Sequence, residues 1–295
     1  MNLDRVILGT NSLNGMSHFA NDIARARLGR LGTEEIIRVI EASFSAGATA
    51  MNLSPTKRLY EALMQMKRQN YSVPFGVYLM LPDMEKFRST VMAGGTFAVA
   101  KELLGDLGWT DVLSVASKGA RSILSSDYPR LIESYLHLEI KRLSSILPSG
   151  GTIRCVLAHE QLTDLALALK THDLFYHFIQ QVNRKNFIPG FITRNLPLFS
   201  DFLAESRIDP HQVVIMTPVN AIGFQMTPSK EEVEKVIKAG QGLNLVAISA
   251  LAGGQVGVEE GVRYLKSLPG IESVVIGVST VSHAVDTFAH LRTSF

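Results

Sequence analysis

Gln212-Val213-Val214-Ile215-Met216-Thr217 is followed by Ser229-Lys230-Glu231-Glu232 and then by Asn244-Leu245-Val246-Ala247-Ile248-Ser249. The first and last runs are almost continuously apolar, the pattern of a strand covered on both faces. Between them, Ser229 stands three residues ahead of Glu232, the spacing at which a serine hydroxyl accepts from an amide of a helix's first turn. Glu231 to Ala239 reads as the helix so opened. Strand, helix and strand within residues 212–249 make one βαβ unit, and a helical crossover of this kind joins strands that lie parallel.

The unit repeats toward both ends. Downstream, Gly257 to Ser267 reads as a helix, Ser273 to Ile276 as a strand and Ser282 to Leu291 as a closing helix. Upstream, Phe187 to Ile192 is a strand and Leu198 to Glu205 a helix. Further strands are expected at Arg5–Gly9, Ala48–Leu53, Pro74–Met80 and Thr152–Ala158. Helices are expected at Thr33–Ala46, Pro55–Lys67, Leu131–Ile146 and Leu162–Lys170, with another to Asn183. Eight strands alternating with helices predict an α/β fold, a (β/α)8 TIM barrel, with residues 1–295 as a single domain. A doubly wound sheet would want G-x-G-x-x-G after its first strand, and Gly9-Thr10-Asn11-Ser12-Leu13-Asn14-Gly15 lacks that pattern. Residues 81–127, with Gly94-Gly95, Trp109 and Lys118, exceed the barrel count and are expected as a helical insertion between strands three and four.

Composition removes several classes of partner. With 46% hydrophobic and 19% charged residues among 295, the chain is too apolar for disorder. A net charge of +2 gives no field to draw nucleic acid. No apolar run nears the roughly 20 residues that span a bilayer. The single cysteine, Cys155, excludes an internal disulfide, and nothing at Met1 to Arg5 reads as a leader, so a cytoplasmic protein is expected. A small molecule is the expected partner, and composition is silent on oligomeric state.

Barrels of this kind act at the carboxyl ends of their strands. There the sequence places Asn11 and Asn14, Asn52 and Ser54, His159-Glu160, Thr193-Arg194-Asn195, Thr217 and Asn220, Ser249 with Gly253-Gly254, and Gly277 with Ser279 and Thr280. His159 beside Glu160 offers acid/base capacity or two metal ligands. Strand alternation sends only one of them into the pocket, and His159 is expected to be that one. Arg194 is a fixed cation for a carboxylate or phosphate, or half of a rim ion pair. Asn11 and Asn220 can orient a carbonyl or amide, or simply build turns. Gly277 to Ser282 enters a helix N-terminus, where free amides attract phosphate or where Ser282 is a plain N-cap. No H-x-H or H-E-x-x-H spacing occurs, and no metal site is expected.

Three stretches, Ile7-Leu8-Gly9-Thr10-Asn11, Val246 to Gly254 and Leu268 to Ser279, resemble the aldo-keto reductases, especially their divergent bacterial and archaeal branch. The resemblance implies an oxidoreductase acting on a small carbonyl compound, with NADP or NAD across the barrel mouth. Ser249, Gly253, Gly254, Gly277, Ser279 and Thr280 would contact the cofactor, and Asn11, Asn14, Arg194, Asn195 and Asn220 the substrate. His159 matches the family's strand-four histidine. Asn52 stands where a strand-two aspartate belongs, and Tyr60, inside the second helix, is misplaced for the family tyrosine. Tyr78 or Lys118 would have to replace that acid, and Lys118 serves as the strand-three lysine only if Asp111–Lys118 displaces Pro74–Met80 as strand three. Two alternatives stay open: a non-redox lyase or isomerase on a phosphorylated or carboxylated metabolite, with His159 and Glu160 as acid and base, and a non-catalytic ligand-binding descendant.

Overall fold

The apolar runs pair side by side in a computed structural model that describes residues 2–14, 31–83, 128–240 and 242–295. Strands β1 (Val6–Gly9), β2 (Ala50–Leu53), β3 (Phe75–Leu81), β4 (Gly151–Ala158), β5 (Ile188–Ile192), β6 (Val214–Pro218), β7 (Asn244–Ile248) and β8 (Ile271–Gly277) are parallel in sequence order. Pairing of Val6 with Val274 through Gly9 with Gly277 closes the barrel. Around it run α1 (Thr33–Ala46), α2 (Lys57–Arg68), α3 (Tyr128–Ile146), α4 (Glu160–Ala168), α5 (His172–Asn183), α6 (Leu196–Glu205), α7 (Lys230–Ala239), α8 (Val258–Lys266) and α9 (Val281–Ser294). The (β/α)8 barrel is as expected, with boundaries shifted by one to three residues. Ser229 does cap α7, accepting from the Glu232 amide at 3.3 Å. The helical insertion expected at 81–127 lies outside the described residues apart from residues 81–83, the first of which ends β3.

Alternation divides each strand between two cores. Ile7, Ala50, Tyr78, Met80, Cys155, Leu157, Ile192, Val214, Met216, Val246 and Val275 pack together inside the barrel. Their neighbours, among them Leu8, Met51, Val77, Leu79, Val156, Phe191 and Ile215, face the helices in a larger cluster. Gly190 is inward by the same count, and a Cβ there would lie 2.6 Å from Leu157 Cδ2 and 2.8 Å from the Val214 carbonyl oxygen. The interior has no room for a side chain on that strand at that level.

The amino-terminal end of the barrel is closed by polar groups. Buried Asp4 receives Arg154 Nη1 at 2.7 Å on each carboxylate oxygen. The Tyr78 hydroxyl donates to Asp4 Oδ2 and accepts from the Asp4 amide, both at 3.1 Å. Register between β3 and β4 steps from Val77–Ile153 to Tyr78–Cys155, leaving Arg154 as an extra residue, and a bulge of this kind re-aims a side chain. Phe75–Leu81 lies between β2 and β4 as the third strand, in the expected register, and Lys118 lies outside the described residues. One expectation changes. Tyr78 points its hydroxyl to the end opposite the mouth and is not a catalytic acid. Tyr78→Phe should therefore lower the denaturation free energy by about 1 kcal/mol, the worth of one buried hydrogen-bonding hydroxyl, and leave ligand binding at the mouth unchanged. Loss of that binding without loss of stability would contradict this placement.

Candidate active site at the barrel mouth

The inward parity of each strand continues past its last apolar residue. Ile7 is followed two residues on by Gly9, Ala50 by Asn52, Leu157 by His159, Ile192 by Arg194 and Val275 by Gly277. His159 keeps extended backbone angles (φ −62°, ψ 145°) as the N-cap residue, one inward position beyond Leu157, and Glu160 begins α4.

His159 is held at both ends. Its amide donates to the Leu81 carbonyl at 2.8 Å, and its Nδ1 accepts from the Gln161 amide at 3.2 Å as the N-cap of α4. Burial lowers the imidazole's pKa below its ordinary value of 6.5; Glu160 and Asp83 oppose the shift and Arg194 adds to it. The ring is neutral near pH 7. With Nδ1 accepting, its one proton sits on Nε2.

Arg194 is fixed more tightly. Its guanidinium pairs with Glu160, its amide donates to Asp164 Oδ2 at 3.2 Å, and its carbonyl accepts from the Thr227 amide at 3.0 Å. Asp164 Oδ1 accepts from the Thr193 hydroxyl at 2.5 Å. Burial raises the Asp164 pKa, against the lowering effect of those two hydrogen bonds. Arg194 Nε is buried with no partner among the described residues, and the same holds for Ser54 Oγ and Asn14 Nδ2. Asn14 Oδ1 is engaged by the Thr56 hydroxyl at 2.6 Å. Asn52 donates to the Tyr78 carbonyl at 3.2 Å and through its own carbonyl receives the Thr10 hydroxyl at 2.8 Å, tying three strand ends together.

Several expected ligand contacts have structural employment. Asn220 closes its own loop, donating to the Phe224 carbonyl at 2.8 Å and accepting from the Phe224 amide at 2.7 Å, so both ends of its amide are taken. Asn195 caps α6 through the Leu198 amide at 3.1 Å. Thr280, not Ser282, caps α9, accepting from the His283 amide at 3.2 Å. Ser249 has left-handed backbone (φ +53°) and its hydroxyl donates to Gln225 Oε1 at 3.3 Å. Asn11 is exposed in the turn after β1, and Ser279 is half-buried before α9. Gly253 (φ +69°) and Gly254 (φ +97°) turn the chain after β7 in the region that favours glycine. Asp164 and Asp83 went unnoticed in the sequence. Asp164 sits one helical turn after Glu160, a spacing that puts two carboxylates on one face of α4. Among the described residues no three His, Cys, Asp or Glu side chains form a metal-binding group, and no helix is long and apolar enough to cross a membrane.

No protein-family model matches the sequence, and no curated protein matches it. Solved structures do. Two structures from Pseudomonas aeruginosa, assigned as an aldo-keto reductase, align over 98% of this chain and 90% of theirs, with a TM-score of 0.55 and identities of 13% and 15%. This chain shares the barrel fold of these structures. The glycerol dehydrogenase of Gluconobacter oxydans aligns at TM-score 0.50 and 12% identity over 97% of this chain and 86% of its own. The holo form of a Bacillus halodurans aldo-keto reductase gives 0.50 and 10% over 98% and 90%. Identities this low speak for the barrel and its connections and for nothing finer.

Neutrality of His159 has a consequence for stability. The unfolded chain binds this proton more readily, so the contribution is complete above about pH 6.5 and is lost as pH falls toward the lower value of the folded state. Urea midpoints should decline from pH 7 to pH 5, and His159→Asn, which keeps a capping acceptor, should flatten part of that decline. An unchanged slope in the variant would assign the effect elsewhere.

Proposed function

We propose that the chain is an oxidoreductase of the aldo-keto reductase type, acting on a small carbonyl compound with a nicotinamide dinucleotide. His159 carries the reading. A neutral imidazole whose Nδ1 lone pair is occupied by the Gln161 amide has no nitrogen left to act as a base, and presents Nε2–H, a donor suited to a carbonyl oxygen. The alternative acid/base lyase would need the lone pair that the cap consumes.

The loops after β7 and β8 fit the dinucleotide. A Cβ on Gly254 would meet nothing within 4 Å, and one on Gly277 would come no nearer than 3.4 Å to Ser12 Oγ, so both backbones are open to close approach. Thr280 occupies the His283 amide, while the amides of Val281 and Ser282 belong to the first turn of α9 and have no acceptor within the helix. Those amides and the helix dipole suit phosphate oxygens. What the bound nicotinamide would add is a hydride for the carbonyl carbon. Residues 276–283 contain no lysine or arginine and leave only His283 to meet a 2′-phosphate, so NAD fits this loop better than NADP. Asn52, uncharged and donating to a backbone carbonyl, braces β2 against β3 in place of the family's charged aspartate.

NADH should bind at least about tenfold more tightly than NADPH in calorimetric titration, the worth of one charge-assisted hydrogen bond to a phosphate. Failure of both to bind would end the reading. His159→Gln should lower kcat/KM roughly 10²-fold, the usual cost of removing one donor to a carbonyl oxygen, with the NADH dissociation constant unaltered. A parallel loss of NADH affinity would place His159 in the cofactor site instead.

A further inference from the structure

The chain enters β5 and β6 at the end of the barrel opposite the mouth, and beside those entries lies a cavity of about 590 Å³ lined only by described residues. One wall is the last two turns of α5, and the other is the loop of residues 206–213 that joins α6 to β6. Buried Ile208 and Val213, with half-buried Ile179, supply its apolar lining. Small-molecule sites occupy roughly 300–1,000 Å³, and this one lies within that range.

Its rim is pinned. The Arg207 amide donates to the Tyr176 hydroxyl at 3.1 Å, which ties the loop to α5 and brings Arg207 to the cavity that Arg184 lines from the helix end. Within the loop, the Ile208 amide donates to Ser206 Oγ and the Ser206 hydroxyl donates to the Leu203 carbonyl, each at 3.1 Å.

Charge then selects the ligand. Arg154 and Arg194 are each met by a carboxylate, Asp4 and Glu160. Arg184 and Arg207 have no ion pair among the described residues, and a guanidinium stays charged at any working pH. The carboxylate in the lining, Asp209, is engaged by the His211 amide at 2.9 Å in the short turn before β6 and pairs with neither arginine. Tyr176 accepts from the Arg207 amide, which leaves its O–H free to donate. A single exposed arginine holds an ion weakly, but here two guanidinium forks and an apolar surface meet in one recess, so an oxyanion with an apolar body gains from both.

We propose that this cavity is a second ligand site, remote from the mouth, for a small compound that carries a carboxylate or phosphate monoester on a compact aromatic body. The oxyanion sits on Arg184 and Arg207, and the body lies against Ile179, Ile208 and Val213. The assignment stands apart from the oxidoreductase reading.

The test is calorimetric titration of the full chain, in physiological salt, with phenyl phosphate, benzoate, inorganic phosphate and phenol. Phenyl phosphate or benzoate should bind at least about tenfold more tightly than inorganic phosphate or phenol, because neither fragment alone engages both the arginines and the apolar lining. The tighter of the two aromatic anions names the oxyanion. Arg184→Gln and Arg207→Gln, both at exposed positions, should keep the urea midpoint and each weaken that binding roughly tenfold, the worth of one charge-assisted contact. Inorganic phosphate binding as tightly as phenyl phosphate, an affinity unchanged in either variant, or no binding of either aromatic anion at millimolar concentration would each overturn the proposal.

Discussion

Closure of eight parallel strands places every second residue in a space with no exit and very little volume. The inner core is accordingly built from Ile7, Ala50, Cys155, Val214 and Val246, with glycine at position 190 where Leu157 and the Val214 carbonyl leave no place for a Cβ. The functional consequence comes from continuing the same count. One step beyond the last packed residue, alternation delivers Asn52, His159, Arg194 and Gly277 to a single rim. The site is an extension of the packing pattern, and its precision derives from strands that cannot slip without turning their apolar residues outward.

The opposite end shows what that constraint costs and how the chain answers it. A barrel must also be stopped below, and here the stop is polar: Asp4 with Arg154, Tyr78 and the Ser273 hydroxyl, which donates to the Asp4 carbonyl. Arg154 reaches Asp4 because a bulge inserts it between Ile153 and Cys155. Burying Asp4 alone would be costly, and each of its carboxylate oxygens has a partner. Tyr78 thereby illustrates a limit of reading chemistry from residue type. Its parity is inward and its strand is the right one, but the phenol's length takes its hydroxyl to the wrong end.

The strands and helices were legible because their signals are local: continuous apolar runs, Gly47 after α1, and Ser229 three residues before Glu232. The place of His159, one inward position beyond Leu157, followed from alternation alone. The Asn residues were harder, since an asparagine at a strand end satisfies nearby backbone as readily as a ligand. Asn220 and Asn195 do the former, and only the positions of the Phe224 and Leu198 amides reveal it. Thr280 and Ser282 are equally good caps by type, and the choice between them depends on where β8 ends, three residues before the helix begins. Asp164 was invisible for a different reason. It lies inside a helix, and its relevance comes from Thr193 and Arg194, some thirty residues away, meeting it across the sheet.

The Glu160, Arg194 and Asp164 arrangement is better understood as a bracket than as a source of stability. Taking these groups out of water opposes the gain from pairing them, and burial is already the leading influence on Asp164, raising its pKa against its own hydrogen bonds. What the bracket secures is direction. Asp164 holds the Thr193 hydroxyl and the Arg194 amide, Glu160 holds the guanidinium, and Glu160 is itself placed by the turn that His159 caps. Imidazole and guanidinium are thus oriented by one connected set of bonds at the ends of adjacent strands. Moving either would break a helix cap or leave a half-buried carboxylate unpaired, so the fold holds both groups in place and the ligand does not have to organise them.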